Sequence, residues 1–258
     1  MKDMSEILDE IGLPEEYQAI VMEVEVIARR ILSYIPRGIK DYPEHGVVHS
    51  ENLLLLFKNF LNNFSKSDLN FHFTYSEKLL ICLSIWLHDI GCIFGRERHS
   101  ENSVKLLEEI DEFKHLKNRI GASLFECLKY IIISHSSWYD FSKLPRNTID
   151  PGVDLLKTCA VFRLLDACDL SSERVKVIYD ILKKYGLLNQ KSRIYWEAHL
   201  NIISVVFDND VIIINCRNKE STEQLIKHFE EELESVNSIF CEIGMPKLKL
   251  HVVVEDFL

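Results

Sequence analysis

The chain has 258 residues, of which 47% are hydrophobic and 27% charged, as in a folded protein with one large domain or one domain and an appendage. A formal net charge of -10 without a long basic run argues against a surface for long nucleic acids, although a local basic pocket stays open. The seven cysteines are scattered and form no Cys-x-x-Cys pair, which predicts reduced thiols. The N-terminus has no apolar signal, and no apolar stretch approaches the roughly 20 residues that span a bilayer. We therefore predict a cytoplasmic protein without a membrane partner.

Apolar residues at helical spacing run through the first 185 positions and predict a bundle of helices. The third helix, capped near Ser76-Glu77, is apolar on nearly every side, which is typical of a helix at the centre of a bundle. It ends in His88-Asp89-Ile90-Gly91, where the glycine is a stop signal. The predicted helices cover residues 14–36, 50–64, 78–90, 101–111, 117–133, 154–169 and 171–184.

The pattern changes after residue 188. Two β-branched segments, an amphipathic helix and an alternating strand cover residues 199–207, 211–216, 222–239 and 247–254. Asp208-Asn209-Asp210 between the first two indicates a hairpin. We therefore predict a mainly α fold, with a helical domain over 1–188 and a small C-terminal β-β-α-β subdomain over 189–258 packed on it. Two roles stay open for the amphipathic tail: the interface of a homo-oligomer, or a cover over a pocket.

Metal-binding residue types recur at the ends of the predicted helices or in loops beside them. Burying Asp89 beside His88 is costly unless a divalent cation or a hydrogen-bond network compensates for it. Helices of a bundle can bring such ends together, and imidazoles with carboxylates suit Mn, Fe, Ni or Zn better than Mg. The candidate ligands are His49, His88, Asp89, His99, His135 and Asp166.

Three segments resemble motifs of the HD-domain superfamily of metal-dependent phosphohydrolases. His45-Gly46-Val47-Val48-His49-Ser50 is similar to the first-histidine motif of that superfamily. Trp86-Leu87-His88-Asp89-Ile90-Gly91 is similar to its apolar helix that ends in His-Asp-Ile-Gly. Arg163-Leu164-Leu165-Asp166-Ala167-Cys168-Asp169 is similar to its last motif, whose first aspartate binds metal. The resemblance covers about residues 40–185 and leaves the tail outside.

The resemblance implies an HD-type helical bundle that holds one or two divalent ions. The ligands that it implies for the first ion are His49, His88, Asp89 and Asp166. Asp89 would bridge to a second ion, held also by His99 and His135, and two such ions would activate a water and clamp the phosphoryl oxygens.

Two departures from the family pattern concern the phosphate and the second ion. Cys92 follows the His-Asp-Ile-Gly motif where the family often has lysine, so the phosphate charge must be met elsewhere. Arg96 is the first candidate for this catalytic role because it lies between two predicted ligands. Ser136 follows His135 where many two-metal members have a second histidine, which makes the second ion less secure. The other candidate substrate contacts are His45, Arg98, Lys143, Arg146 and Arg163.

The implied activity is hydrolysis of a small phosphorylated substrate, a nucleotide or a nucleotide-like molecule. A regulatory module that binds metal and nucleotide without turnover is the alternative, and a helical scaffold without metal is a third hypothesis. Asp169 is interpreted as a cap of the helix at Ser171, and Trp138 as a loop aromatic close enough to His135 to line a pocket. Histidines without a partner pattern are interpreted as ordinary: His72, His115, His199, His228 and His251.

Overall fold

The structure is a computed structural model that describes residues 3–35, 46–64, 71–170, 172–188 and 190–255. Helices dominate these residues, and one small sheet lies near the C-terminal end, so the mainly α fold class is confirmed. The helices are α1 (Met4–Ile11), α2 (Glu15–Leu32), α3 (Val47–Phe64), α4 (Tyr75–Leu87), α5 (His99–Glu109), α6 (Asp111–Ile120), α7 (Ala122–Ser134), α8 (Leu155–Cys168), α9 (Glu173–Lys184), α10 (Gln190–Asn201) and α11 (Lys219–Glu242). The strands are β1 (Ile202–Asp208), β2 (Val211–Cys216) and β3 (Lys249–Val254).

The central helix is α4, whose side chains are buried without interruption over residues 79–87. It packs against α2, α3, α7 and α8, as its apolar sequence predicts. Its cap is Thr74, not Ser76: the Thr74 hydroxyl accepts from the Glu77 amide, while the Glu77 carboxylate accepts from the Thr74 amide. The helix ends at Leu87, and a 3-10 turn over Ile90–Phe94 carries the chain on towards α5.

Several element boundaries differ from the predicted ones. The helix predicted over 117–133 is two helices, α6 and α7, which are separated by Gly121 at a φ of +87°. The strand predicted from His199 begins only at Ile202, because His199 lies in α10. The helix predicted over 14–36 ends earlier, because α2 stops at Leu32. The predicted cap at Ser171 lies outside the described residues.

The tail has the predicted β-β-α-β order. Strands β1 and β2 pair antiparallel through a turn in which Asn209 has a φ of +51°, and β2 pairs parallel to β3. Helix α11 packs along α8, and edge-to-face ring contacts join the tail to the bundle, with Phe207 at 5.3 Å from Phe60. Most buried apolar residues of the tail therefore belong to the same core as those of the bundle, whereas Trp196 of α10 packs with α9. The boundary at 188/189 stays a prediction.

Within the described ranges, no single helix is long and apolar enough to cross a bilayer. One pair of segments, Tyr75–Phe94 and His99–Glu109, reaches that length and apolar character jointly, with a bend of 103° between them.

Candidate functional site

Five helices deliver the six predicted metal ligands to one end of the bundle. His49 is the third residue of α3, His99 is the first of α5, and Asp166 lies in the last turn of α8. His88 and Asp89 directly follow α4, and His135 directly follows α7. Five of the six are buried, whereas the Asp166 side chain is 25% exposed. The structure thus brings together residues that are separated by up to 117 positions in the chain.

Each of the four imidazoles is oriented through its Nδ1 atom. His49 Nδ1 lies 2.6 Å from Asp169 Oδ2, and the other three rings meet backbone carbonyl oxygens. Those contacts are His88 to Ser84 and Ile85, His99 to Arg96, and His135 to Ile132. An Nδ1–H that donates to an oxygen fixes the tautomer and turns the Nε2 lone pair to the opposite side of the ring, as in histidines that bind metals.

The Nε2 atoms converge in two pairs. His49 Nε2 lies 3.2 Å from His88 Nε2 and 3.0 Å from Asp166 Oδ1. His99 Nε2 lies 2.9 Å from His135 Nε2. Lone pairs that face each other at these distances repel unless a proton or a cation lies between them. Two sets of three residues have ligand atoms that all lie within 4.8 Å of one another, and imidazoles with carboxylates fit a transition-metal ion. One set is His49, His88 and Asp166, and the other is His88, Asp89 and His135.

The Asp89 carboxylate lies between the two imidazole pairs. Its Oδ2 is 3.4 Å from His88 Nε2 and 3.9 Å from His49 Nε2. Its Oδ1 faces the other pair, at 3.4 Å from His99 Nε2, and also accepts from the Cys92 thiol at 3.5 Å. One carboxylate with an oxygen directed at each pair has the geometry that a bridging ligand requires.

The electrostatics of the cluster favour a cation. Burial opposes protonation of His88, but the carboxylates of Asp89 and Asp166 outweigh it and raise the pKa of His88 to about 9. Burial lowers the pKa of His135 to about 3, and positive charge on His88 acts in the same direction. Burial also opposes ionisation of Asp166, yet the imidazoles of His49 and His88 hold the pKa of its carboxyl well below the usual range. The cluster therefore stabilises a positive charge beside ionised carboxylates.

Three further residues position the ligands. Asp169 was predicted to cap a helix, but its Oδ2 contacts His49 and its Oδ1 accepts from Asn52 Nδ2 at 3.2 Å. Ser103 Oγ donates to the His88 carbonyl at 2.6 Å and accepts from the Gly91 amide at 2.8 Å. For Asp169 the sequence offers one indication of this role, its position about one helical turn after Asp166. For Asn52 and Ser103 it offers none.

A cavity of about 960 Å³ opens beside the cluster, and Asp89, His99, His135 and Asp166 face it. The opposite side is formed by the tail, which carries none of the recognised motifs. Its lining residues include Tyr195 and His199 of α10 and Lys227 and His228 of α11. His199 and His228 were interpreted as ordinary, but both lie at the cavity, and His199 Nδ1 is 3.2 Å from the Leu170 carbonyl.

Among the predicted substrate contacts, Arg96 lines the cavity and is partly exposed. Arg163 also lines it, but Nε, Nη1 and Nη2 donate to Glu232, to the Tyr139 carbonyl and to the Ser137 carbonyl, which gives this residue a structural role. The substrate role of Arg163 stays a prediction.

The remaining candidates lie elsewhere or have other partners. Lys143 is exposed on a 3-10 turn, Arg146 pairs with Glu242, and neither residue lines the cavity. Arg98 lines the cavity and pairs with Glu101. His45 lies outside the described residues.

Comparison with known proteins identifies the family to which the chain belongs. A search among curated proteins finds no match to the chain. The family model HD-CE matches residues 39–237, which is more than half of the chain. The match includes all six candidate ligands and continues past residue 185 through α10 and most of α11, so it also contains the wall of the cavity that the tail supplies. The chain therefore belongs to the HD-CE family, and it carries an HD-type domain whose buried His/Asp cluster can bind a metal ion.

Proposed function

We propose that this protein is a metal-dependent phosphohydrolase of the HD superfamily and that it hydrolyses the phosphate ester of a nucleotide or a nucleotide-like small molecule. The observation that carries the proposal is the position of Asp89 between two imidazole pairs whose Nε2 atoms converge on it. Because all four Nδ1 atoms already face oxygen acceptors, a network without metal needs an extra proton between the two Nε2 atoms of each pair, and a metal ion can take the place of that proton.

The ligands divide into two overlapping sets. His49, His88, Asp89 and Asp166 would hold one divalent transition-metal ion, and Asp89, His99 and His135 a second. Such an ion supplies a Lewis acid that polarises a phosphoryl oxygen and lowers the pKa of the attacking water. The Nδ1 contacts keep the rings in place during the reaction, and Asp166, the most exposed ligand, faces the cavity in which the substrate would lie.

Two residues at the cavity can contact the phosphate directly. Arg96 supplies positive charge where Cys92 replaces the lysine common in the superfamily. Burial and the nearby Asp89 carboxylate raise the pKa of the Cys92 thiol, so this residue stays neutral and contributes no charge. Ser136 lines the cavity, and its buried Oγ has no hydrogen-bond partner in the described part of the chain, so rotation of this hydroxyl towards the cavity would let it donate to a phosphoryl oxygen.

Cys92 also favours the second candidate function, a regulatory module that binds metal and nucleotide without turnover. Its neutral thiol occupies the position beside Asp89 at which a cation would stabilise the negative charge of the phosphoryl oxygens while the ester oxygen departs. Both functions require the metal, so turnover distinguishes them.

Metal content and hydrolysis, measured on the same preparation, test the proposal. The protein is purified without chelator, analysed for transition metals and assayed on a panel of phosphate esters with added Mn²⁺ or Ni²⁺. We expect at least about one ion per chain and metal-dependent turnover, with loss of both in His88→Ala and Asp89→Asn. His251→Ala, an exposed histidine on β3, is the matched control and should change neither. Full metal content without turnover on any ester would favour the regulatory module, and a metal-free protein would favour a scaffold.

A further inference from the structure

Trp138 is a large aromatic residue exposed at the cavity. The chain has three tryptophans, of which Trp86 and Trp196 are buried, whereas Trp138 is 51% exposed. Trp138 lines the same cavity as His135, which precedes it by three residues. Because Trp138 lines the cavity as well as being exposed, its indole ring is available to contact a ligand there and to gain the free energy of burial when the ligand binds.

The backbone on both sides of Trp138 is fixed by a buried arginine. Arg163, only 4% exposed, donates from Nη2 to the Ser137 carbonyl and from Nη1 to the Tyr139 carbonyl, each at 3.0 Å. Its guanidinium lies over the Phe141 ring, and its Nε donates to Glu232 of α11. The indole is thus exposed on a backbone that is held from inside the protein, and a contact preorganised in this way loses little entropy when a ligand binds.

The distance along the chain suits a ligand with two different ends. Three residues separate the Cα atoms of His135 and Trp138 by at most about 11 Å. A second partly exposed aromatic residue, Tyr195 of α10, lines the same cavity. A phosphate at the His/Asp cluster and a planar ring at Trp138 can therefore belong to one small molecule.

We propose that Trp138 is the platform on which the planar ring of the substrate stacks, which makes nucleoside phosphates rather than sugar phosphates the preferred class. The inference rests on the proposed function for the position of the phosphate end. Loss of one aromatic platform weakens the binding of a base by about 5- to 150-fold. The same loss leaves the affinity for a phosphate without a base unchanged.

Binding measurements test the platform independently of turnover. Adenosine 5′-monophosphate and ribose 5-phosphate are titrated into the metal-loaded protein by calorimetry, and iodide quenching reports on the one exposed tryptophan of the chain. We expect the nucleotide, but not the sugar phosphate, to protect Trp138 from iodide. Trp138→Ala should weaken nucleotide binding by about 5- to 150-fold and change ribose 5-phosphate binding less than about twofold. Trp138→Phe, which keeps a ring, should recover most of the affinity.

Tyr75→Ala is the matched control. Tyr75 is 61% exposed at the start of α4, about 18 Å along that helix from the cluster, so its loss should leave both affinities unchanged. Equal affinity of the wild type for both ligands, or equal weakening of both in Trp138→Ala, would overturn the platform; metal-dependent hydrolysis would then still support the proposed function. If the nucleotide protects Trp138 but no hydrolysis is detected, the platform is supported and the proposed enzymatic function is excluded.

Discussion

At the scale of single residues, the site is defined by what each imidazole meets at Nδ1. Three of the rings meet carbonyl oxygens at the ends of their own helices or in the preceding turn, whereas His49 meets the carboxylate of Asp169. A carboxylate partner favours electron donation from the other ring nitrogen to a metal ion more than a carbonyl does, because it stabilises positive charge on the ring. His49 is therefore the ligand whose strength depends most on a residue outside the cluster.

We expect Asp169→Asn to lower metal affinity and hydrolysis by about 10- to 100-fold, the usual cost of losing the partner of a metal-binding histidine. The amide keeps the shape of the side chain but removes the charge that faces His49 Nδ1 at 2.6 Å. Metal titration followed by calorimetry measures the effect. Asp208→Asn, on the exposed β1–β2 hairpin, is the control, and equal affinities in the two variants would contradict the role of Asp169.

We expect Ser136→Ala to reduce hydrolysis while leaving the fold at least as stable as the wild type. The Ser136 hydroxyl is buried without a hydrogen-bond partner among the described residues, so removing it relieves a penalty of about 1–3 kcal/mol. Loss of its hydrogen bond to the substrate should lower kcat/KM about tenfold. Ser84→Ala removes a second unsatisfied buried hydroxyl, on α4 and away from the cavity lining, and should stabilise the protein without changing kcat/KM. An unchanged kcat/KM in Ser136→Ala would rule out the contact.

The sequence was sufficient to select the six candidate ligands, because each lies in a local motif, at a helix end or in a loop beside one, and the family resemblance supplied the roles of His99 and His135. It was not sufficient for Asp169, whose contact with His49 joins residues 120 positions apart. The same holds for Lys227 and His228, which reach the cavity only because α11 packs along α8. Local patterns encode which residues end a helix, whereas tertiary packing decides what those ends meet.

At the scale of elements, Gly91 shows why the turn after α4 is so closely packed. A Cβ atom on Gly91 would lie 2.1 Å from the His99 carbonyl oxygen and 2.4 Å from the Ser103 amide nitrogen. Both atoms belong to the backbone of α5, so no side-chain rotation can relieve the overlap. The sequence predicts this glycine as a helix stop; in the structure its function is to let α5 approach and deliver His99 to the cluster.

We therefore expect Gly91→Ala to destabilise the protein by about 1–3 kcal/mol or more and to displace His99. The second ion should be lost before the first, because His99 faces His135 and Asp89 Oδ1 while His49 and Asp166 lie on other helices. Thermal unfolding and metal stoichiometry measure the two effects. Gly152→Ala is the control, since a Cβ there meets side-chain atoms no closer than 3.2 Å. Full metal content in Gly91→Ala would contradict the role given to this turn.

Element boundaries show the same division between local and tertiary information. The apolar stripe that crosses Gly121 predicts one helix, but the positive φ of that glycine turns the chain and separates α6 from α7. Residues 190–198 carry their apolar side chains in one short run and give little helical pattern. Helix α10 nevertheless lies there, with Trp196 packed against Val175 and Tyr179 of α9. The strands of the tail are predicted well because their β-branched runs are local.

At the scale of the whole molecule, the cluster ties five helices together, so metal binding should stabilise the entire bundle. An ion at 100 times its dissociation constant contributes about 2.7 kcal/mol if it binds only the folded state. For a domain of this size, that contribution corresponds to a rise in Tm of about 5–10 °C. Thermal unfolding of chelator-treated protein, with and without Mn²⁺, measures the shift, and His88→Ala should remove it. A Tm that does not depend on metal in the wild type would contradict a site shared among these helices.

The tail is joined to the bundle by a buried ion pair as well as by apolar packing. Arg163 of α8 and Glu232 of α11 are 4% and 8% exposed at their side chains, and their contact distance is 2.5 Å. Breaking such a pair on one side leaves a buried charge without compensation, so Glu232→Ala should destabilise the protein by about 3–5 kcal/mol. Denaturant unfolding measures this loss.

The double variant Arg163→Met, Glu232→Leu separates stability from recognition. An apolar pair of similar size often restores the stability that a buried ion pair provides, so this variant should recover most of the stability that is lost in Glu232→Ala. It cannot restore the hydrogen bonds from Arg163 to the Ser137 and Tyr139 carbonyls, which hold the backbone around Trp138. We therefore expect wild-type metal content and a stability well above that of Glu232→Ala, together with weakened nucleotide binding and unchanged ribose 5-phosphate binding. Full nucleotide affinity in this variant would show that apolar packing alone positions the loop, and that the buried arginine is retained for another reason.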